Sequence, residues 1–109
     1  MKHTIVVIVI VLLARGLTVL AAGDATAGKS VYDSKCKMCH GADGEGNLAL
    51  GKTLKVEFVP LGSMEIQAKS DSDIKHQITK GGTKMKGITG LSDKDVGNVI
   101  AFVRSLAKT

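Results

Sequence analysis

The stretch Cys36-Lys37-Met38-Cys39-His40 decides how this chain folds. Two residues separate its thiols, so one turn of chain brings both sulfurs to the same side, and an imidazole follows directly after the second. This order and spacing is typical of covalent haem attachment, in which each thiol adds to a vinyl group and the histidine binds the iron. The pentapeptide therefore predicts a haem that is held covalently by Cys36 and Cys39 and ligated through its iron by His40.

Other interpretations of the two cysteines fit the rest of the chain less well. A structural zinc site needs four ligands, and the only histidines besides His40 are His3 and His76. A thioredoxin-type redox pair belongs in a βαβ setting, whereas strand-like alternation is essentially absent here. A structural disulfide across so short a loop would constrain the unfolded chain little. Haem attachment is the favoured interpretation.

The composition indicates that something other than side chains fills the core. The chain has 109 residues, of which 44% are hydrophobic, but it contains only two Phe, one Tyr and no Trp. This length leaves room for one domain. Domains of this size bury proportionally little surface and usually need a further stabilising element. A porphyrin would supply the missing apolar surface.

The N-terminus has the layout of a secretory signal peptide. A basic start precedes an uncharged, mostly apolar run over residues 4–14, and Ala21-Ala22-Gly23 suits a processing site. Arg15 interrupts the apolar stretch, which argues against a membrane-spanning helix of about 20 apolar residues. We expect a signal peptide over residues 1–23 and a single exported, periplasmic domain over residues 24–109. An uncleaved membrane anchor is the alternative.

The rest of the sequence predicts helices and no strands, and therefore an all-α fold. The predicted elements are a helix from Asp24 to about Cys36, a loop over residues 41–51, irregular chain over residues 52–68, a helix from about Ser72 to Lys80 that ends at Gly81-Gly82, and a final helix capped by Ser92. Gly28 should weaken the first helix by about 1 kcal/mol relative to Ala. Its presence predicts that another backbone passes close to it.

With these motifs the sequence resembles the single-haem class I cytochromes c, the small electron carriers of bacteria. The resemblance extends from about Ala27 to Ala107 and rests on the attachment motif together with Gly28 and Tyr32, the glycine turn Gly81–Met85, and the final helix from Leu91 to Leu106. It implies a cytochrome c fold of about three or four helices wrapped around one haem c. It also implies that the N- and C-terminal helices cross, with Gly28 and Tyr32 against Val99 and Phe102.

The resemblance implies Met85 as the distal axial iron ligand, opposite the proximal ligand His40. Gly82 and Gly87 on either side of Met85 let the chain bend close to the iron. Met64 lies in the apolar irregular stretch and is expected to pack in the core or the haem pocket. His76 is a rival ligand, although the helical pattern points it away from the core.

The chain departs from the family at two prolines. Lys86 follows Met85 where the family commonly has Pro, which would loosen the methionine loop. The only proline is Pro60, so the family's usual proline after the attachment motif is missing. We expect a backbone carbonyl near residues 48–50 to accept a hydrogen bond from the second ring nitrogen of His40 instead.

These features predict a monomeric, periplasmic electron carrier with no catalytic residues, because His/Met ligation leaves no vacancy for a substrate. The formal net charge is +5, and four lysines flank Cys36 and Met85, namely Lys35, Lys37, Lys84 and Lys86. They would steer the protein towards acidic patches on redox partner proteins. Scattered lysines without interleaved aromatics do not support nucleic-acid binding. The alternatives are a subunit tethered to a dehydrogenase or oxidase, and a five-coordinate haem sensor or peroxidase-like protein.

Overall fold

A computed structural model describes residues 23–108, and these residues form six α-helices. In chain order they are α1 (Ala25–Lys35), α2 (Lys37–His40), α3 (Leu48–Leu54), α4 (Met64–Gln67), α5 (Asp71–Lys80) and α6 (Asp93–Ser105). The only β pairing in residues 23–108 is one isolated antiparallel bridge between Gly81 and Lys86. The predicted all-α class is confirmed, with more helices than expected because α2 and α4 are single turns.

The signal peptide predicted over residues 1–23 lies outside the described residues, apart from Gly23. Between Gly23 and Lys108 no helix combines the length and the apolar character that a membrane span requires.

Helix α1 begins at a capped N-terminus that also contacts the other end of the chain. The Asp24 carboxylate accepts hydrogen bonds from the backbone N–H groups of Thr26 and Ala27, at 2.9 and 3.2 Å. Two of the N–H groups that a helix leaves free at its start are thereby satisfied. The backbone N–H of Asp24 in turn donates to Oδ1 of Asn98 at 3.0 Å. This last bond fastens the start of α1 to the middle of α6.

Helices α1 and α6 cross at Gly28, as the sequence predicted. A Cβ atom at Gly28 would overlap the backbone carbonyl of Asn98 and lie 2.9 Å from the backbone nitrogen of Val99. Only glycine permits this approach of two backbones. One turn further along α1, Tyr32 is fully buried, and its ring centroid lies 4.7 Å from that of Phe102. The implied crossing of the terminal helices is confirmed.

The core lies between α5 and α6. Its buried aliphatic residues are Ile74 and Ile78 from α5 and Val96, Val99, Ile100 and Val103 from α6. Helix α6 starts with a capping box, because Ser92 Oγ accepts from the Asp95 N–H at 3.0 Å and the Asp95 carboxylate accepts from the Ser92 N–H at 3.3 Å. This confirms Ser92 as the predicted N-cap. Leu106 is only half-buried because it is already the C-cap residue.

Helix α6 is also fastened to the segment that leads into α5. The Arg104 guanidinium donates to the carbonyls of Gln67 and Lys69 at 2.8 and 2.7 Å, and to the Asp71 carboxylate at 2.8 Å. The Gln67 amide donates to the carbonyl of Val103 at 2.9 Å. These bonds fix where α5 begins relative to α6.

The segment between α2 and α5 is more regular than predicted. Part of the expected loop over residues 41–51 and of the irregular chain over residues 52–68 forms α3 and α4. Asn47 caps α3 by accepting a hydrogen bond from the Leu50 N–H at 3.1 Å, and Ser63 caps α4. The prediction was wrong here because four glycines hide a helix whose cap and packing partners are set by the rest of the fold.

We expect Gly28→Ala to destabilise the protein by about 3 kcal/mol, because the new methyl group would force α1 and α6 apart. Denaturant unfolding followed by circular dichroism measures the change. The matched control is Gly97→Ala in the interior of α6, where no described atom would lie within 4 Å of the new Cβ. Replacing a helix-interior glycine without strain should stabilise by about 0.5–1 kcal/mol. Equal effects at both positions would contradict the close crossing.

Candidate haem-binding site

Cys36, Cys39 and His40 lie on a single turn at the end of α1. Cys36 is both the C-cap residue of α1 and the N-cap residue of α2. Its carbonyl accepts hydrogen bonds from the backbone N–H groups of Cys39 and His40, at 3.2 and 2.9 Å. Both cysteines are half-buried free thiols. The structure thus brings together the three residues that the motif singled out and joins them by no disulfide.

The number of available ligands argues against a zinc site at this turn. A structural zinc site needs four ligands. Residues 23–108 contain no group of three or more His, Cys, Asp or Glu side chains that could hold a metal ion. Burial, and then the neighbouring Cys39, raises the pKa of the Cys36 thiol above its ordinary value. The turn instead offers two free thiols, each of which can add across a haem vinyl group.

His40 is held as a neutral imidazole. Burial lowers its pKa below the ordinary value, so the ring is uncharged near pH 7 and a nitrogen lone pair is free to bind iron. The Phe58 ring lies edge-on to it, with centroids 5.7 Å apart. A neutral, half-buried imidazole on the same turn as two free thiols is the donor set that haem c requires. The residues present therefore fit this cofactor.

The second ring nitrogen of His40 does not have the partner that we expected. Nδ1 is buried and makes no hydrogen bond to any described residue. The expectation that a carbonyl near residues 48–50 would be the partner was wrong. These residues form the first turn of α3, where the carbonyls accept hydrogen bonds from the following turn. A buried polar atom without a hydrogen-bond partner is uncommon, so packing alone does not explain the position of this imidazole.

The chain just after His40 is fixed by the buried Tyr32. Its hydroxyl donates to the carbonyl of Gly41 at 2.6 Å, and burial raises the pKa of Tyr32 well above its ordinary value, so the proton is retained. Gly41 has φ of 80°, and a Cβ there would lie 2.7 Å from the Glu45 carboxyl group. The sequence predicted Tyr32 as a packing residue only and gave no sign of this hydrogen bond.

Asn47 closes the loop that follows the attachment turn. Its backbone N–H donates to the carbonyl of Cys39 at 2.9 Å, and the Gly46 N–H donates to that of His40 at 2.7 Å. The Asn47 side-chain amide donates to the carbonyl of Met38 at 3.0 Å. Three carbonyls of the attachment turn are thus bound from one side. Asn47 was not predicted as a site residue, and its only signal in the sequence is that asparagine is a preferred helix N-cap.

Met85 lies on a tight hairpin between α5 and α6. The Gly82 N–H donates to the carbonyl of Met85 at 2.8 Å, and the Ile88 N–H donates to that of Ile78 at 2.8 Å. Gly81 has φ of 74° and has no room for a side chain beside Met85 and Gly87. Because these backbone bonds close the hairpin, Lys86 in place of the family's proline does not open it.

Met85 is less exposed than the two residues that could replace it as an iron ligand, Met64 and His76. It is half-buried, and its sulfur accepts a hydrogen bond from Nε2 of Gln77 at 3.6 Å. Met64 is 87% exposed, so it does not pack in the core of side chains, and its expected place in the haem pocket stays a prediction. Ser63 caps α4 and places Met64 in its first turn, away from the buried face. His76 is exposed on α5, on the outward side that the helical pattern predicted.

The four lysines that flank the attachment turn and the methionine hairpin are all exposed. They are Lys35, Lys37, Lys84 and Lys86. The salt bridges found in the described part of the chain involve Lys29, Lys75 and Arg104 instead. The flanking lysines are thus charged groups available to a partner.

Comparisons with known proteins place this geometry in a family. The model of cytochrome c oxidase, cbb3-type, subunit III matches residues 23–103. Cytochrome c-554(547) of Halothiobacillus neapolitanus is 30% identical over 90 residues, which are 78% of this chain and 99% of that protein. Thiosulfate dehydrogenase of Allochromatium vinosum is 34% identical over 97 residues, which are 80% of this chain but 33% of that enzyme. The solved structure of the KustC0563 c-type cytochrome superposes on this chain with a TM-score of 0.64 and 32% sequence identity. The matched region is 74% of this chain and 98% of that cytochrome.

We expect Tyr32→Phe to lower the free energy of unfolding by about 1–3 kcal/mol, because the Gly41 carbonyl loses its donor while the ring still packs on Phe102. Thermal or denaturant unfolding measures the loss. Thr53→Val is the control, since it removes an exposed hydrogen bond of 3.2 Å from the Thr53 hydroxyl to the Ala49 carbonyl. A Tyr32→Phe loss no larger than that of Thr53→Val would show that the hydroxyl does not stabilise the turn.

Proposed function

The chain belongs to the c-type cytochromes, which carry covalently bound haem c and transfer electrons, and we propose that it is a periplasmic carrier with its iron between His40 and Met85. The observation that carries the proposal is the single turn that brings together two free thiols and the half-buried His40 imidazole. The glycine hairpin that closes around Met85 supports the choice of the second ligand.

Each proposed site residue has one role. Cys36 and Cys39 would hold the haem through thioether bonds, His40 would bind the iron through Nε2, and Met85 would bind it through Sδ. Haem c would supply a one-electron couple between ferric and ferrous iron. A thioether ligand favours the reduced state relative to a second imidazole, which suits a carrier of higher potential. With His40 and Met85 both bound to the iron, no position would be left for a substrate, which suits a carrier rather than an enzyme.

The partners that we propose are redox proteins with acidic docking patches. Exposed lysines stand on either side of Cys36 and of Met85 in the sequence, namely Lys35, Lys37, Lys84 and Lys86. Positive charges beside the proposed haem ligands raise the rate of encounter with an anionic surface without requiring tight binding. Fast, weak docking is what a carrier that serves two partners in turn needs.

A tethered cytochrome subunit is the second candidate function. The matching family model is described as subunit III of a cbb3-type oxidase, and the segment over residues 1–23 would serve as the tether if it were not cleaved. In that case electron transfer through His40 and Met85 is unchanged, but the protein is fixed to one complex. The mass of the mature protein and its partition between membrane and periplasmic fractions distinguish a cleaved carrier from a tethered subunit.

We expect Met85→Ala to abolish the weak far-red sulfur-to-iron absorption of the oxidised holoprotein and to lower its reduction potential, because the thioether ligand is lost. The reduced variant should also bind carbon monoxide without prior unfolding. Redox titration with spectra of protein matured in a cell with haem-attachment machinery provides all three measurements.

Met64→Ala is the matched control for Met85→Ala, since Met64 is 87% exposed and should leave the spectrum and the potential unchanged. Loss of the far-red absorption in Met64→Ala would overturn the ligand assignment. Carbon monoxide binding by the reduced parent protein would favour the five-coordinate sensor or peroxidase-like alternative.

We expect a variant with four lysines changed to Gln to react about tenfold more slowly with the anion ferricyanide, because it lacks the positive charges that attract the anion. The four positions are Lys35, Lys37, Lys84 and Lys86, and the measurement is the rate at which ferricyanide oxidises the reduced protein at low ionic strength. Stopped-flow measurements across a salt series check this. The control carries the same charge change at Lys69, Lys75, Lys94 and Lys108. If the two variants respond equally, the four lysines contribute only to net charge and solubility.

A further inference from the structure

The imidazole of His40 is in contact with the ring of Phe58. The two ring centroids are 5.7 Å apart and the ring planes meet at 67°, which is the edge-to-face arrangement that aromatic rings prefer. A histidine that binds a metal commonly donates its other ring N–H to a carboxylate, a carbonyl or a water, and this bond fixes the orientation of the ring. Nδ1 of His40 is buried and makes no such bond to any described residue. The orientation of the imidazole therefore depends on packing.

Gly46 makes room for Phe58 and also binds the backbone of His40. A Cβ atom at Gly46 would lie 2.5 Å from Cβ and 3.3 Å from Cγ of Phe58, so only glycine permits this approach. The N–H of Gly46 donates to the carbonyl of His40 at 2.7 Å. Phe58 thus packs on a residue that is itself hydrogen-bonded to His40. This arrangement limits how far the two rings can move apart.

The end of α3 holds the Phe58 ring from a second side. A Cβ atom at Gly51 would lie 3.4 Å from Cδ2 and 3.5 Å from Cε2 of that ring, and the Val56 N–H donates to the Gly51 carbonyl at 2.9 Å. Lys55 ends the helix in the left-handed region, with φ of 55°, which is uncommon for a residue other than glycine. Through this turn the chain reverses after α3 and returns Phe58 to the attachment turn.

We propose that Phe58 is a positioning residue that fixes the plane of the His40 imidazole, in place of a hydrogen bond to Nδ1. The inference deepens the function proposed above and rests on the ligation of iron by His40. A phenyl edge restricts rotation of the imidazole about its Cβ–Cγ bond by steric contact, which does not depend on the charge of the iron. The imidazole would keep one orientation in both oxidation states, and the rearrangement that accompanies electron transfer would stay small. Packing that locks a rotamer is a common way to hold a functional side chain in place.

We expect the Phe58→Leu holoprotein to keep the far-red absorption of the methionine-ligated iron but to lose the fixed imidazole plane. In low-spin ferric haem the unpaired electron density follows the planes of the axial ligands, so the paramagnetic shifts of the haem methyl protons report the orientation of the imidazole. These shifts should change in Phe58→Leu, and their spread should narrow because the ring samples more than one orientation. Proton nuclear magnetic resonance of the oxidised protein measures them.

The matched control is Val59→Ala, which removes apolar volume at the next position, where the side chain is also half-buried. It alters the packing of the same segment but leaves the ring beside His40 in place. The haem methyl shifts should therefore stay close to those of the parent. The reduced parent holoprotein provides a second measurement, which remains informative if Phe58→Leu does not fold. It is diamagnetic, and nuclear Overhauser contacts should be observed between the ring protons of Phe58 and His40.

Haem methyl shifts in Phe58→Leu equal to those of the parent would overturn the role of Phe58. An equal change in Val59→Ala would do the same, because the effect would then belong to the segment and not to the ring. Absence of the Overhauser contacts in the reduced parent protein would also overturn it. Failure of the proposed His40 ligation is distinguishable, since the parent protein itself would then lack the spectrum of six-coordinate, low-spin haem.

Discussion

The close crossing of α1 and α6 at Gly28 is the constraint on which the rest of the structure depends. A carbonyl of α6 lies where any side chain at position 28 would be, and the tilted rings of Tyr32 and Phe102, in contact with each other, extend the helix contact by one turn. Helix α1 ends directly at Cys36. The close packing of α1 against α6 therefore determines the position of the attachment turn. The hydrogen bond from the Tyr32 hydroxyl to the Gly41 carbonyl also fixes the chain just after His40.

The two halves of the proposed site are built by different means. The attachment turn is short-range structure, in which one cap residue and its carbonyl organise two thiols and an imidazole. The methionine hairpin owes its shape to glycines without room for a Cβ and to the anchorage of α5 against α6. A local motif would supply the proposed covalent attachment, and the tertiary fold would supply the proposed second ligand. The second half is thus the one that depends on the stability of the whole domain.

The sequence predicted those parts of the fold in which local pattern and tertiary structure agree. The attachment motif, the cap at Ser92 and the glycine of the helix crossing are of this kind. Helices α3 and α4 were missed, because glycine content and apolar composition predicted loop and irregular chain where the caps at Asn47 and Ser63 start helices. The expected carbonyl partner of the His40 Nδ1 atom was wrong because α3 had not been predicted. Contacts between distant residues, such as Asn98 with Asp24, have no signature in a single sequence.

The separation of 74 residues between Asp24 and Asn98 has a consequence for biogenesis. The two thiols are synthesised long before the helix that covers α1 exists, and closing so long a loop is entropically unfavourable and late. An attachment enzyme would therefore meet Cys36 and Cys39 on a nascent, open chain. A polypeptide truncated before α6 would retain every proposed ligand and yet lack the partner that holds α1 in place.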